Sequence, residues 1–250
     1  MNRLAVIEIL ALTGNLTILI AVTVFIASEK DRRDSEIYQA WQVITAAYGQ
    51  RGSGGRIQAL EFLNSEPRRN PWFWLTWDRE SLRGLEAPNA YLRGIILSNA
   101  DLGGANLQEA ILWEANLQKA DLGGANLQKT ILKEANLQEA FLWGANLQEA
   151  ILWGANLQEV NLKGANLQKA NLGGANLQEA FLWGANLQEA FLGGANLQKT
   201  NLKGAILKNA IYTDKNTLKA TCKEFSKKYP CPTVFPENFN PKTVGMRLIK

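Results

Sequence analysis

From residue 90 onward the hydrophobic positions follow a rule that neither common secondary structure obeys. Leucine stands at every fifth residue from Leu92 to Leu207 without exception. Two residues before each leucine comes a second apolar position, alanine except at Ile95, Thr130, Val160 and Thr200. On an α-helix, steps of five rotate by about 140°, so the leucines would spiral round the axis. On a flat strand, an odd step sends alternate leucines to opposite faces. One geometry gathers them all: a chain that turns a corner every five residues and coils, with Leu and Ala inward.

The polar positions set the number of sides. The tetrapeptide ANLQ occurs ten times, ten residues apart, starting at Ala105. Units such as AILWE, ADLGG and AFLWG lie between the copies. Like stacks on like only if a coil holds an even number of units, and four is the smallest even number that encloses an interior. One column then reads Glu109, Lys129, Glu149, Lys169, Glu189, alternating in sign, with coils about 4.8 Å apart. Each exposed pair is worth little, but a slip by one coil would set like charge on like.

The pattern before the repeat predicts helices. Ile9–Ala27 is a run of 19 residues without a charge, and a membrane span needs about 20. The run is longer than the apolar stretch of a cleaved signal peptide, and no convincing small-x-small site follows. The reading is a single-pass transmembrane anchor over residues 1–28. Arg3 precedes it and Lys30, Arg32 and Arg33 follow, which places the C-terminal bulk on the cytoplasmic side. Thr13, Thr17 and Ala21 recur every fourth residue beside Gly14 and Asn15. They form either a packing face for another membrane helix or lipid-facing threonines bonded to their own backbone.

Residues 29–89 form a juxtamembrane segment. Ile37, Ala40, Trp41, Ile44 and Tyr48 fall near helical spacing. Gln50–Gly55 breaks the pattern as a flexible turn, and Arg56–Asn64 reads as a second short helix. Pro71–Trp77 brings Trp72, Trp74 and Trp77 together beside arginines. These rings suit a membrane–water interface or a cover for the lower end of the coil. After the repeat domain (90–214), residues 215–250 form a capping helix and tail. Leu218, Cys222, Phe225 and Tyr229 make an apolar stripe with four lysines outward. Its expected task is to cover the upper edge, since open edges pair with other chains.

Composition removes whole classes of chemistry. No histidine occurs among 250 residues, so His-based catalysis and His-containing metal sites are absent. Two cysteines, Cys222 and Cys231, are too few for a four-thiolate site. They read as a buried thiol and a second free thiol, or as one disulfide. The net charge of +4 comes from the tail, because residues 90–214 hold nine basic against eleven acidic groups. A packed Leu interior leaves no substrate cavity. The expectation is a non-enzyme without cofactor, metal, nucleic-acid ligand or small-molecule substrate.

The outward positions carry what specificity there is. Trp113, Lys133 and Trp153 share one column; Trp143, Lys163 and Trp183 share another on the opposite face, with Phe141 and Phe181 beside it. These are the candidate partner-binding residues, through cation–π stacking and exposed apolar area. The alternative is that duplication of AFLWG units copied the rings without any binding role.

The unit A-(N/D)-L-x-x resembles the pentapeptide repeat family, over 25 consecutive units from Ala90 to Asp214. The resemblance implies an all-β fold, a right-handed four-sided β-helix, here with a transmembrane helix and short flanking helices. The segments EIYQAWQVI, GSGGRIQALEFLN, PWFWLTW and NPKTVGM are similar to those of membrane-anchored members in cyanobacteria, which implies a plasma or thylakoid membrane. Some soluble members mimic DNA and protect topoisomerase, a role that uses strongly acidic surfaces. The expected function is a membrane-tethered scaffold binding an integral membrane complex, with a homo-oligomeric structural protein as alternative.

Overall fold

The computed structural model describes residues 3–48, 50, 52, 55–65, 79–214 and 232–249, with the side chains of residues 3–19 outside that set. Cys222 and Cys231, the stripe expected over 216–229, and Trp72, Trp74 and Trp77 lie outside the described residues.

The repeat coils as its period demands. Parallel bridges join each residue before a leucine to its counterpart one coil on, as in Asn106↔Asn126, Ile111↔Ile131, Asn116↔Asn136 and Asp121↔Phe141. From Glu86 to Ile211 every partner is twenty residues away, so a coil has four sides. Each side closes with a tight turn, such as Ala115 N–H to Leu112 O at 3.1 Å. The sides of successive coils are laced by bonds such as Leu112 N–H to Ile131 O at 2.8 Å. Inside, the Leu and Ala columns are sealed from solvent except at Leu202 and Ala205 near the upper end. At about 25 cal/mol per Å² their burial is the main favourable term. Thr130 and Thr200 sit in alanine columns because each hydroxyl donates to a carbonyl, Leu107 O at 2.8 Å and Leu177 O at 2.7 Å.

The coil starts ten residues before Ala90. Leu82 N–H already donates to Asp101 O at 2.8 Å, and Glu86 bridges Asn106. The leucine rule misses this because Ala87 stands where Leu is due and Pro88 follows.

Two helices close the lower end, so the described chain is a β-helix on a helical base. Helix α1 (Arg3–Ala46) runs without a break through the apolar run and the helical spacing that follows it. Arg32 bridges Glu29 and Glu36, the latter at 2.7 Å, across one turn. Ala40, Ile44 and Ala47 face the core. Tyr48 is exposed, because α1 ends at Ala46 and the helical phase is lost. Helix α2 (Arg56–Leu63) seats Leu60 and Leu63 on the first coil. The side chain of Arg56 is fully buried and donates to Ala47 O at 3.0 Å, Gln50 O at 2.7 Å and Gly52 O. A cation thus satisfies carbonyls just beyond the α1 C-terminus, where the helix dipole favours positive charge. Burial pushes the Arg56 guanidinium below the usual arginine range.

The single-pass anchor is overturned: among the described residues no helix is long and apolar enough to cross a membrane. In the continuous helix α1, Glu29–Asp34 brings six charged residues in succession. The plasma- or thylakoid-membrane placement, with the C-terminal domain on the cytoplasmic side, falls with it. Of the residues assigned to membrane packing, Ala21 is exposed, while the side chains of Thr13, Gly14, Asn15 and Thr17 lie outside the described set.

At the upper end, residues 232–249 fold back over the last coil. Strand β1 (Ile211–Tyr212) pairs in parallel with β2 (Arg247–Leu248), and Val234 bridges Asn196. Gly194 N–H is met by the Thr213 and Thr233 hydroxyls at 3.0 and 3.2 Å. Across the opening Tyr212 meets Phe235 edge-to-face with centroids 5.5 Å apart, and Phe235 stacks on Phe239 at 5.2 Å.

Candidate interaction faces of the rod

Two opposite sides are built from ANLQ units, and their asparagines have structural work. Each Asn Oδ1 accepts the N–H two residues on, as from Gln128 to Asn126 at 3.2 Å, an Asx turn that leads into the corner. The Nδ2 groups of Asn126, Asn146, Asn156, Asn176, Asn186 and Asn196 reach the asparagine one coil below, as Asn156 to Asn136 at 3.2 Å and Asn176 to Asn156 at 3.4 Å. These ladders fix the register of stacked coils. At the corners beside them stand charged residues. Lys119–Glu139 (3.5 Å), Lys169–Glu189 (4.0 Å) and Lys199–Glu179 (2.9 Å) pair between coils. The Glu179 carboxylate holds the Lys199 ammonium above the usual lysine range, chiefly through its hydrogen bond.

The other two sides carry the aromatic columns, and they differ. On the first, Arg93, Trp113, Lys133 and Trp153 form one stack. The Arg93 guanidinium lies 4.3 Å from the Trp113 ring, and Lys133 Nζ lies 4.5 Å from Trp113 and 4.7 Å from Trp153. The Glu114 carboxylate holds Arg93 from the side at 3.0 Å, and its hydrogen bond raises the guanidinium above the usual arginine range. Trp113, Lys133 and Trp153 are all half-buried. This side presents edges of rings already enclosed by their own cations.

The opposite side presents rings to solvent. Phe141 (48%), Trp143 (51%), Phe181 (52%) and Trp183 (48%) are each about half exposed. Lys163 Nζ lies 4.3 Å from the Trp183 ring. Asn161 sits between the two phenylalanines and bridges both. The corner of this side is an unbroken glycine column: Gly84, Gly104, Gly124, Gly144, Gly164, Gly184 and Gly204, all with positive φ. Hence that corner itself carries no side chain beside the rings.

Another device is absent from the leucine and asparagine rules. The glycine directly after a leucine is a notch for a neighbouring ring. A Cβ at Gly123 would lie 2.4 Å from Cε2 of Trp143, and one at Gly193 would lie 2.4 Å from Cζ of Phe191. At Gly173 it would meet Phe191 at 2.8 Å and Trp153 at 3.0 Å; at Gly103 it would meet the Arg83 guanidinium at 2.5 Å. For Gly103, Gly123 and Gly173 the signal was present in the sequence as Gly-Gly units one coil from Trp or Arg, readable only once the period of twenty is known. Below Trp143 the notch opens into a shallow groove of about 340 Å³ lined by Arg83, Asp101, Asp121 and Phe141.

A square coil of five-residue sides, filled by Leu and Ala, defines the class. The pentapeptide repeat model matches residues 81–211 in overlapping stretches, more than half of the chain, and the chain belongs to the pentapeptide repeat family. Among solved structures it is similar to a pentapeptide repeat protein of the Arabidopsis thaliana thylakoid lumen, at 30% identity over 43% of this chain and 75% of that one, TM-score 0.37. HetL, a protein involved in heterocyst differentiation regulation in the cyanobacterium Nostoc sp. strain PCC 7120, shares 37% identity over 53% and 74% of the two chains, TM-score 0.24. The plasmid-mediated fluoroquinolone resistance protein QnrB1 shares 17% over 63% and 85%, TM-score 0.30. A comparison with curated proteins gives no match.

Proposed function

We propose that the chain is a non-enzymatic docking rod that binds a protein partner through the side bearing Phe141, Trp143, Phe181 and Trp183. One observation carries the reading: four large rings stand half exposed on one flat side, beside a corner that has no side chains. Apolar groups in such density mark contact surfaces, with tryptophan the commonest anchor. The side with Trp113, Lys133 and Trp153 is a poorer candidate, because its rings already spend their faces on Arg93 and Lys133. The non-enzymatic part rests on the interior, where leucine and alanine occupy the space a substrate would need.

The test compares the native protein with the variant F141Q/W143Q/F181Q/W183Q in quantitative affinity purification from the source cells. Loss of bound protein with an unchanged circular dichroism spectrum is the expected result. Equal recovery of every bound protein by both forms ends the reading. A second variant, W113Q/W153Q, is expected to retain the bound set.

A further inference from the structure

The exposed side has an internal symmetry that identifies what fits it. Its central column reads Asp101, Asp121, Phe141, Asn161, Phe181, Asn201. Its edge column reads Gly103, Gly123, Trp143, Lys163, Trp183, Lys203. Height by height, an acid faces a glycine, a ring accompanies a ring, and an asparagine accompanies a lysine.

Two rods placed face to face about a two-fold axis parallel to their length bring each central column against the other's edge column. Phe141 then meets the partner's Trp143, and Phe181 meets the partner's Trp183. Asn161 meets the partner's Lys163, and Asn201 meets the partner's Lys203. No like charges oppose across these rungs. An antiparallel pair centred on Asn161 also matches ring with ring, but it sets Lys163 against the partner's Lys163, and like charges in contact oppose association.

A second observation agrees. The corner leading into this side reads Lys119, Glu139, Glu159, Glu179, Lys199. Lys119 neutralises Glu139 and Lys199 neutralises Glu179. Glu159, between two acids, receives only the Gln158 amide at 3.2 Å, and among the described residues no cation of its own chain pairs with it. In the parallel pair this corner lies over the partner's glycine column, and Glu159 stands at the height of the partner's Lys163. Near the top Lys199 approaches the partner's Lys203, but Lys199 is already paired with Glu179.

We propose that two copies of the chain pair in parallel and in register through the Phe141–Trp183 side, locked by Lys163 of each copy on Glu159 of the other. The proposal rests on reading this side as a docking surface and names a second copy as the occupant. A whole aromatic side chain carries ~150–250 Å², so four half-exposed rings supply roughly 400 Å² per copy toward the ~800 Å² per partner of a standard interface.

The test uses the full chain, 27.7 kDa per copy. Sedimentation velocity at tens of micromolar is expected to give a particle of twice that mass. Carbodiimide coupling of a mixture of ¹⁴N- and ¹⁵N-labelled protein is expected to yield a mixed-isotope Lys163–Glu159 link. K163E weakens pairing about tenfold or more, and K163E/E159K restores it to within about threefold of native. Both sites are on the surface, and circular dichroism verifies the fold of each variant. A monomer at these concentrations, a dimer without the mixed-isotope link, or failure of the double reversal to restore pairing overturns the proposal. In that event, loss of bound proteins by the four-ring variant leaves the docking reading intact with another occupant; retention ends both.

Discussion

Each outward residue answers a demand of the corner it occupies. The second corner residue always takes a left-handed backbone, whether it is Gly124 (φ 65°) or Glu149 (φ 59°). For a side chain with a Cβ this conformation costs roughly 1–2 kcal/mol. Glu149→Gly is therefore expected to raise stability by about 1 kcal/mol after its entropic cost. A higher urea midpoint verifies this, and a lower one refutes it. The first corner residue obeys another rule. Gly123→Ala drives a Cβ into the Trp143 indole, which is expected to cost about 1–3 kcal/mol and to red-shift that ring's fluorescence. Gly124→Ala, next in sequence, meets nothing within 4 Å. It is expected to cost about 1 kcal/mol from backbone strain alone and to leave the fluorescence unchanged. Equal spectra for the two alanine variants would remove the notch.

At the scale of elements, stability depends on how the open edges of the coil are finished. Helix α2 finishes the lower edge with side chains. Glu61 accepts Ile96 N–H at 2.9 Å, Asn64 donates to Ser98 O at 3.1 Å, and Leu60 and Leu63 plug the core. Leu60→Ala and Leu63→Ala are each expected to cost about 2–5 kcal/mol, as buried truncations do, and light scattering should reveal association through the uncovered edge. Elements were unequally legible in the sequence. Leu92–Leu207 dictated the coil because a period of five admits one geometry, and Arg56–Asn64 was readable as a short helix. The start of the coil was hidden by Ala87 and Pro88. The upper finish was hidden too, because Thr233, Val234 and Arg247 follow no repeat and gain meaning only from the strands they meet. The apolar run in α1 misled: hydropathy alone says nothing of the long charged helix that continues it. On the candidate faces, the stacking of Trp113, Lys133 and Trp153 in one column was legible from spacing. The difference in exposure between the two aromatic sides was not, since it depends on Arg93, on notches such as Gly123, and on the glycine corner.

Across the whole molecule, the unit of stability is the coil and not the five-residue repeat. Asn ladders, ion pairs and ring notches all connect residues about twenty apart. In such a stack each coil contributes its own stability plus an interface with its neighbours. Deleting residues 125–144 removes one full coil and brings Ala145 to follow Gly124, so Asn146 again stands over Asn106 and Ile151 over Ile111, with one exposed like-charge contact, Glu149 over Glu109. Deleting only residues 125–129 removes a single side and rotates everything above by one face. Ile131 would then stand over Asn106, Asn136 over Ile111, and Phe141 over Asn116. Each broken Asn–Asn rung forfeits about 0.5–1.5 kcal/mol, and a buried amide left without a partner loses more. The five-residue deletion is therefore expected to destabilise the rod more than the twenty-residue deletion, although it removes a quarter as many residues. Urea denaturation of the two deletions against the native chain decides the matter. A midpoint for the shorter deletion equal to or above that of the longer one would show that the leucine interior alone sets stability and that the outer columns are indifferent to register.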